Sequence, residues 1–385
     1  MMVGMGYIGL DSGRLYRMRR GPKLIEAVAS GTTIIINDAT EGRPFRGLRV
    51  FGKSTQDGTP TPEVPAPIVN TREGGSITMD VRGKNLLPFP YVDGMTKTTN
   101  GITFTVNADR SITCTGTAIN QAFFNLSKQR YTANPTDFNK YYSALDCRYD
   151  HSNNITHISV SKSDGYVNKT IYPMIVKKGE TNLDYEPPRA PQSLTLTTPN
   201  GLPGVPVSKD GNYTDADGQQ WICDEIDLGR GKYVQRVAKM HPRIPIVFNA
   251  REENGRCRVF DTKIWGVKWA DAKITALSTI AKWSSWGSGE DGTFALNSDG
   301  IYYKDSAKTL EEVNAMFAKL GTDFEVCGAL AAPIESDLTP EEIAAYKALR
   351  TYGPTTVITN DAGAEMEIAY RKDKKNEKIH WNKVD

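Results

Sequence analysis

Aromatic side chains are the first candidates for binding chemistry in this sequence. A flat, apolar ring face can stack on a sugar ring and tolerates different sugars. We therefore predict seven candidate glycan-binding residues, which are Tyr131, Tyr141, Tyr142, Tyr149, Tyr166, Trp265 and Trp269. The alternative is a structural role, because aromatic residues are common in protein cores and the helical spacing of the two tryptophans is typical of a buried face.

Enzymatic chemistry is not predicted. Glycan hydrolysis needs two carboxylates that face each other across the bond to be cleaved, about 5 to 9 Å apart. Asp224 and Glu225 are adjacent on a predicted strand and so point to opposite faces, while Asp215 and Asp217 fall in a predicted turn. The sequence contains no G-x-S-x-G or H-E-x-x-H motif, and its four histidines have no nucleophile nearby in sequence.

No cofactor or metal is predicted either. Residues 4–9 match the dinucleotide motif G-x-G-x-x-G, but only three residues precede the first glycine, too few for the strand that must come before it. His151 and His157 have no acidic or cysteine partner at metal-ligand spacing, so we predict surface or loop positions for both. The five cysteines are at least 33 residues apart, which disfavours disulfides and indicates free thiols in a reducing cytoplasm.

Composition limits the classes of partner. The chain has 385 residues, of which 39% are hydrophobic and 24% charged, as is typical of a folded chain of two or three domains. A net charge of +2, from 47 basic and 45 acidic residues, gives no general attraction to nucleic acid. No apolar run reaches the roughly 18 residues needed to span a membrane. We expect neither nucleic-acid binding nor membrane insertion.

The elements that would position these residues are mainly β. Alternating apolar residues predict strands over 101–106, 111–116, 155–161 and 169–176, with turns at Asn100-Gly101 and near Asp109. Strands spaced in this way indicate an antiparallel β-sandwich over residues 84–190. Further short strands are predicted between residues 200 and 237, around an Asp217-Gly218 turn.

The C-terminal part is predicted to mix strands with a few short helices. Thr309 with Glu312 and Thr339 with Glu342 are capping boxes, each at the start of a helical pattern. Residues 355–359 and 366–370 are predicted as paired strands around a turn. The fold class is thus mainly β, with a jelly-roll-like sandwich and a β-rich C-terminal block.

Several segments resemble tail-tip and baseplate structural proteins of long-tailed bacteriophages of Gram-positive bacteria. They are GKSTQDGTPTPEVPAPI (52–68), GITFTVNADRSITCTGTA (101–118), NYTDADGQQWICDEID (212–227) and LTPEEIAAYKALRTYGPTTVITNDAGA (338–364). Arg110 stands where the family wording has a glycine. The resemblance implies that residues 84–190 form a jelly roll similar to carbohydrate-binding domains.

We predict five consecutive regions. They are an N-terminal attachment region ending in a proline-rich connector (1–83), a carbohydrate-binding-like sandwich (84–190), a β connector (191–240), a C-terminal α+β domain (241–370) and a charged tail (371–385).

The resemblance implies a structural, non-enzymatic tail component that contributes to host-cell attachment, with wall polysaccharide as a further partner. The implied protein partners are other tail or baseplate proteins and further copies of the same chain, with a trimer as one alternative. The implied location is the virion, after synthesis in the host cytoplasm. The other functional classes are a tail-associated glycan depolymerase and a bacterial surface adhesin, the latter disfavoured because no signal peptide is evident.

Overall fold

The computed structural model describes residues 24–199, 201–241, 256–259, 275–284, 290–297 and 300–373. Within these ranges the chain is mainly β and its sheets are almost entirely antiparallel, which confirms the predicted fold class. No helix in these ranges is long and apolar enough to cross a membrane.

The strands of the first half are β1 (Leu24–Gly31), β2 (Thr33–Ile36), β3 (Gly47–Phe51), β4 (Ser54–Gln56), β5 (Ile68–Asn70), β6 (Ser76–Arg82), β7 (Thr96–Thr99), β8 (Ile102–Val106), β9 (Ile112–Thr117), β10 (Ala122–Ser127), β11 (Tyr142–Leu145), β12 (Arg148–Asp150), β13 (Ile155–Val160), β14 (Tyr166–Ile171) and β15 (Met174–Lys177). Those of the second half are β16 (Gln192–Thr197), β17 (Gly204–Val207), β18 (Tyr213–Thr214), β19 (Gln220–Cys223), β20 (Glu225–Asp227), β21 (Lys232–Met240), β22 (Arg256–Val259), β23 (Leu277–Ser278), β24 (Lys282–Trp283), β25 (Thr293–Asn297), β26 (Gly300–Lys304), β27 (Val326–Asp337), β28 (Thr356–Asn360) and β29 (Glu365–Asp373). Three α-helices are described: α1 (Phe138–Tyr141), α2 (Leu310–Leu320) and α3 (Pro340–Ala348).

Two sheets form a body. A seven-stranded sheet has the order β1-β29-β3-β20-β21-β27-β23, and a four-stranded sheet has the order β16-β6-β28-β2. Alternate residues of both sheets, such as Leu48 and Val50 on β3 and Ile77 and Met79 on β6, are buried in one shared core. The body is therefore a β-sandwich whose strands come from both ends of the described chain.

A second sandwich is inserted into the body between β6 and β16. These two strands are antiparallel neighbours, so the chain leaves the body and returns to it at the same place. The inserted sandwich contains the sheets β14-β9-β8-β7, β10-β13-β12 and β11-β15, which enclose a core around Phe104, Phe124 and Phe138. Its β7–β8 hairpin turns at Asn100-Gly101, as predicted, with φ of 45° and 83° at these two residues.

A buried polar junction, here called the neck, joins the inserted sandwich to the body. Lys84 Nζ donates to the carbonyls of Asn182 and Asp184 at 2.8 and 2.9 Å and lies 3.1 Å from Glu186 Oε1. The same Glu186 oxygen accepts a 2.7 Å hydrogen bond from the Thr355 hydroxyl, which precedes β28 of the body. Lys84 and Glu186, at the two ends of the insertion, are both buried. The neck thus fixes where the sandwich is attached.

The proline-rich stretch, predicted as a connector, folds back on itself in the structure. β4 and β5 pair antiparallel, with Gln56 opposite Ile68, so the ends of this stretch lie side by side. Between them, Thr61 and Val64 exchange backbone hydrogen bonds in a tight turn, and Ala66 N donates to Thr279 O. The stretch is therefore a loop closed by a short hairpin between its own two ends.

The predicted division into consecutive regions also differs from the strand pairing. Strands from 24–82, 191–240 and 326–373 share the two sheets of the body, so none of these segments is a separate unit. The reason is that pairing between distant segments, such as β3 with β29, cannot be read from local patterns. A smaller unit, formed by β22, β24–β26 and α2, shares a second core with β21 and β27 of the body, which includes Phe294, Phe317 and Val326.

Both predicted helices are confirmed, and both capping boxes are formed. The predicted pairing of residues 355–359 with 366–370 is wrong, because β28 lies in the four-stranded sheet and β29 in the seven-stranded sheet. The Asn360 side chain accepts from Ala362 N and Ala364 N, which shapes the connection that crosses between the sheets. The motif at residues 4–9 and residues 374–385 of the predicted tail lie outside the described residues.

Candidate carbohydrate-binding face

Strands β10, β13 and β12 form one open face of the inserted sandwich. Because side chains alternate along a strand, Phe124, Ile158 and Tyr149 point into the core while their sequence neighbours point outward. The outward residues include Phe123 and Asn125 on β10, His157 and Ser159 on β13, and Arg148 on β12. We call these five residues the open face.

The strand register places these five side chains in two rows. Asn125, His157 and Arg148 are direct cross-strand partners, and Phe123 lies opposite Ser159. The Phe123 side chain is 39% exposed, and its ring meets the His157 ring edge to face, with 5.2 Å between centroids and 81° between planes. The face therefore combines an accessible aromatic ring with an amide, an imidazole, a hydroxyl and a guanidinium.

Hydrogen bonds fix part of this face. Asp93 lies beside the edge of β10, where one of its carboxylate oxygens accepts from Asn125 N at 2.5 Å and the other accepts from Asn125 Nδ2 at 3.1 Å. The Lys97 ammonium donates to the same carboxylate at 2.6 Å. The Asn125 side chain is thus held in one orientation, as a preorganised binding site requires.

The titratable groups of the face differ in their environments. Burial is the largest influence on His157 and lowers its pKa, the nearby Asp150 carboxylate opposes that shift, and the Arg148 charge adds to it. Hydrogen bonds from the Asn153 side chain and from Ser152 N lower the pKa of Asp150. The imidazole of His157 is therefore neutral at pH 7, and the carboxylate of Asp150 is ionised.

Three of the predicted glycan-binding tyrosines pack in or against the core of the sandwich, Tyr149 buried and Tyr131 and Tyr142 partly buried. Tyr131, Tyr142 and Tyr149 surround Phe138, with ring centroids 5.5, 5.6 and 4.3 Å from the Phe138 ring. Burial raises the pKa of Tyr131 to about 12, and the Tyr149 hydroxyl donates to Asn154 Oδ1 at 2.9 Å. Their rings are packed against one another and are not available as a flat platform.

The other predicted glycan-binding residues are not part of this aromatic cluster. Tyr141 is 47% exposed at the end of α1, and Tyr166 is 71% exposed at the start of β14. The other end of β14 leads to Pro173, whose carbonyl accepts from Asn85 next to the neck, so Tyr166 lies at the end of β14 away from the neck. Trp265 and Trp269 lie outside the described residues.

The sequence reasoning missed the open face. Its signal is present in two short segments, AFFNLS and ITHISV, where apolar residues alternate with Phe123, Asn125, His157 and Ser159. The exposure of Phe123 could not be predicted from residue type. Phe124 follows it directly, and the sequence does not show which of the two rings is exposed.

The first of the carboxylates considered for catalysis, Asp224, is held by hydrogen bonds within the body. Asp224 is buried and accepts from the Tyr233 hydroxyl, Arg236 N and Val237 N at 2.7 to 2.8 Å. Burial raises the pKa of Asp224 to about 7, while these three donors oppose the rise. The Asp224 carboxylate is therefore part of a hydrogen-bonded network inside the body.

Two neighbouring carboxylates are held by cations. Glu225 lies 2.6 Å from Arg49 Nε and 2.7 Å from Arg236 Nη1. Asp215 accepts from the Lys53 ammonium at 3.0 Å and from Trp221 Nε1 at 2.9 Å. Each of these carboxylates is neutralised by side chains of the body itself.

The open face is therefore suited to binding through stacking and hydrogen bonds. Comparison with family models, with curated proteins and with solved structures found no match for this chain.

Proposed function

We propose that this chain is a structural component of a phage tail tip or baseplate that contributes to attachment to the host-cell surface. In this proposal the inserted sandwich binds wall polysaccharide without cleaving it. The observation that carries the proposal is the open face, where the exposed ring of Phe123 lies beside polar side chains, of which Asn125 is held by Asp93. The resemblance of four sequence segments to tail proteins supports the same function.

The chemistry of the open face fits a sugar ligand. Carbohydrate recognition combines a ring that stacks on the apolar face of a sugar with a few oriented hydrogen-bonding groups. Phe123 supplies the ring, and Asn125, His157 and Ser159 supply donors and acceptors on the adjacent positions. One such shallow site gives weak binding, of about millimolar to micromolar Kd.

Weak single-site binding is useful when many copies act together. Assembly into an oligomer alongside other tail proteins would raise the effective concentration of sites by orders of magnitude. We therefore place the protein in the virion as a homo-oligomer, with the body in contact with other tail proteins and the inserted sandwich presented to the cell wall.

The binding test uses the full chain displayed at high density on beads. Beads are mixed with Gram-positive host cells and with the same cells stripped of wall polysaccharide. We expect retention on intact cells only, and loss of retention for Phe123→Ala. The matched control is Ile119→Ala, which removes another exposed apolar side chain outside the open face. Equal retention on intact and stripped cells, or none on either, would contradict polysaccharide binding.

The location test uses particles. Mass spectrometry of purified virions should detect the chain, and antibody-labelled electron microscopy should place it at the tail tip. Absence of the chain from infectious particles would exclude a tail role, even if the isolated protein binds polysaccharide.

A further inference from the structure

We propose that the open face selects a polysaccharide that carries an anionic group, either a carboxylate or a phosphate, through Arg148 and His157. This inference rests on the proposed function and adds the charge class of the ligand. It depends on which charged groups around the face already have hydrogen-bond or ion-pair partners within the protein.

The acidic groups near the face are satisfied by the protein itself. The Asp150 carboxylate accepts from Ser152 N, Asn153 N and Asn153 Nδ2 at 2.8, 3.2 and 2.8 Å. The Asp93 carboxylate receives the Lys97 ammonium and two donors of Asn125. Both carboxylates have local donors, so neither needs a cationic ligand.

Arg148 is in the opposite situation. Its side chain is exposed on β12, and it takes part in none of the ion pairs found among the described residues. A guanidinium has a planar fork of donors that matches the two oxygens of a carboxylate or a phosphate. The face therefore presents a guanidinium that forms no ion pair among the described residues and that has the geometry to bind an oxyanion.

His157 extends this cationic site toward the aromatic ring. It is the direct cross-strand partner of both Arg148 and Asn125, and its ring touches that of Phe123. An oxyanion seated on Arg148 would lie beside the imidazole and favour its protonated form. A sugar stacked on Phe123 would then place an attached anionic group toward His157 and Arg148.

The other sheet of the sandwich provides a contrast. The outward rows of β7, β8, β9 and β14 consist of neutral side chains, which are Thr96, Thr98, Thr103, Thr105, Thr113, Thr115, Thr117, Tyr166, Asn168 and Thr170. Two of their cross-strand pairs have hydroxyl oxygens 3.0 and 3.2 Å apart. An arginine without an ion-pair partner, placed beside an exposed aromatic ring, thus has no counterpart in these outward rows of the other sheet.

The test uses wall polysaccharide from cells that retain the beads, separated by anion exchange into neutral and anionic fractions. The full chain should bind the anionic fraction at least tenfold more tightly, since hydrogen bonds to charged groups are the stronger class. Arg148→Gln should lower that affinity about tenfold and remove the preference over the neutral fraction. Lys169→Gln, which removes one exposed positive charge from β14, is the matched control and should leave the affinity unchanged.

Two treatments of the anionic fraction identify the group. Carbodiimide coupling to a neutral amine removes carboxylate charge, and hydrofluoric acid cleaves phosphodiesters. Loss of binding after one treatment supports the proposal and names the anion.

Equal affinity of the full chain for both fractions, or equal losses for Arg148→Gln and Lys169→Gln, would overturn the anion preference while leaving polysaccharide binding intact. Failure to bind either fraction would overturn the preference and the proposed function together. Thermal unfolding of each variant shows whether it is folded, and Arg148→Lys, which keeps the charge but not the fork, should recover part of the affinity.

Discussion

The neck and the open face are both parts of the inserted sandwich, but they differ in whether their positively charged side chains have partners within the protein. At the neck, Lys84 is buried and has three oxygen partners within 3.1 Å. On the open face, Arg148 is exposed and has no ion-pair partner among the described residues. A charge that the protein neutralises itself holds the structure together, whereas a charge left without a partner is available to a ligand. The following predictions test this contrast.

The largest effect is expected at the neck. Lys84→Met leaves the Glu186 carboxylate buried without its cation, and breaking a buried ion pair in this way costs about 3 to 5 kcal/mol of unfolding free energy. Urea unfolding of the full chain measures the loss. The double variant Lys84→Met, Glu186→Leu should recover much of it, because it removes both charges. If Lys84→Met lowers the unfolding free energy by less than about 1 kcal/mol, as loss of an exposed ion pair does, then Lys84 does not hold the structure together and does not differ from Arg148 in this respect.

A slightly smaller effect is expected for the tyrosines in the core of the sandwich. Tyr149→Ala removes a ring that stacks on Phe138 and should cost about 3 kcal/mol. Tyr141→Ala is the control at an exposed position and should change stability by less than about 0.5 kcal/mol. Equal losses for the two variants would mean that Tyr141 also belongs to the core.

Phe123→Ala should separate binding from stability. Because the ring is partly exposed, we expect a stability loss of about 1 kcal/mol or less. Polysaccharide affinity should fall about tenfold, since the stacking platform is gone. Phe124→Ala, at the next position but in the core, should show the reverse pattern of a large stability loss. A Phe123→Ala variant with unchanged retention on host cells would show that the open face is not the binding site.

The smallest effect concerns pH. The folded pKa of His157 lies below the unfolded value of about 6.5, so its contribution to stability is present above pH 6.5 and is lost as pH falls through the folded pKa. Binding of an anion raises the pKa of His157. Affinity for the anionic fraction should therefore increase as the pH falls through the same interval. Calorimetry between pH 7.5 and pH 5 should therefore show opposite trends for stability and affinity. His157→Gln should flatten both, and a pH-independent affinity in the unmodified chain would exclude His157 from the site.

Local patterns predicted local structure well. The alternation in GITFTV and the capping boxes at Thr309 and Thr339 correspond to β8, α2 and α3. Four cysteines expected to be free, Cys114, Cys147, Cys223 and Cys327, are free in the structure. The strand and the two helices depend on residues within one element, and the free thiols were predicted from the wide spacing of the cysteines, so the sequence contains the information needed.

Burial of individual aromatic residues was harder to predict. Tyrosine has an apolar ring and a polar tip and is found both in cores and at surfaces, so residue type did not separate Tyr149 from Tyr141. The open face was missed because its members come from three strands that become neighbours only through the register of β10, β13 and β12. Sheet order has the same origin, since β29 pairs with β1 and β3 from the opposite end of the described chain.

The left-handed backbone at Arg110 has a local explanation in the structure. Arg110 adopts φ of 69°, the conformation that a glycine would adopt without strain. Its guanidinium lies 3.9 Å from the centroid of the Phe89 ring, and its carbonyl accepts from the Tyr91 hydroxyl at 2.9 Å. A cation–π contact of this kind offsets part of the backbone cost.

The order of strands in the seven-stranded sheet also bears on how the chain folds during its synthesis. The inserted sandwich is a continuous segment, so all of its strands are available to fold once the residues up to the neck have emerged from the ribosome. The body must wait, because β29 sits between β1 and β3, and β28 sits between β6 and β2. Until residues 356–373 emerge, the early strands of the body have open edges that are available to neighbouring chains. We therefore expect a nascent chain in which the inserted sandwich is already folded while the sheets of the body are still incomplete.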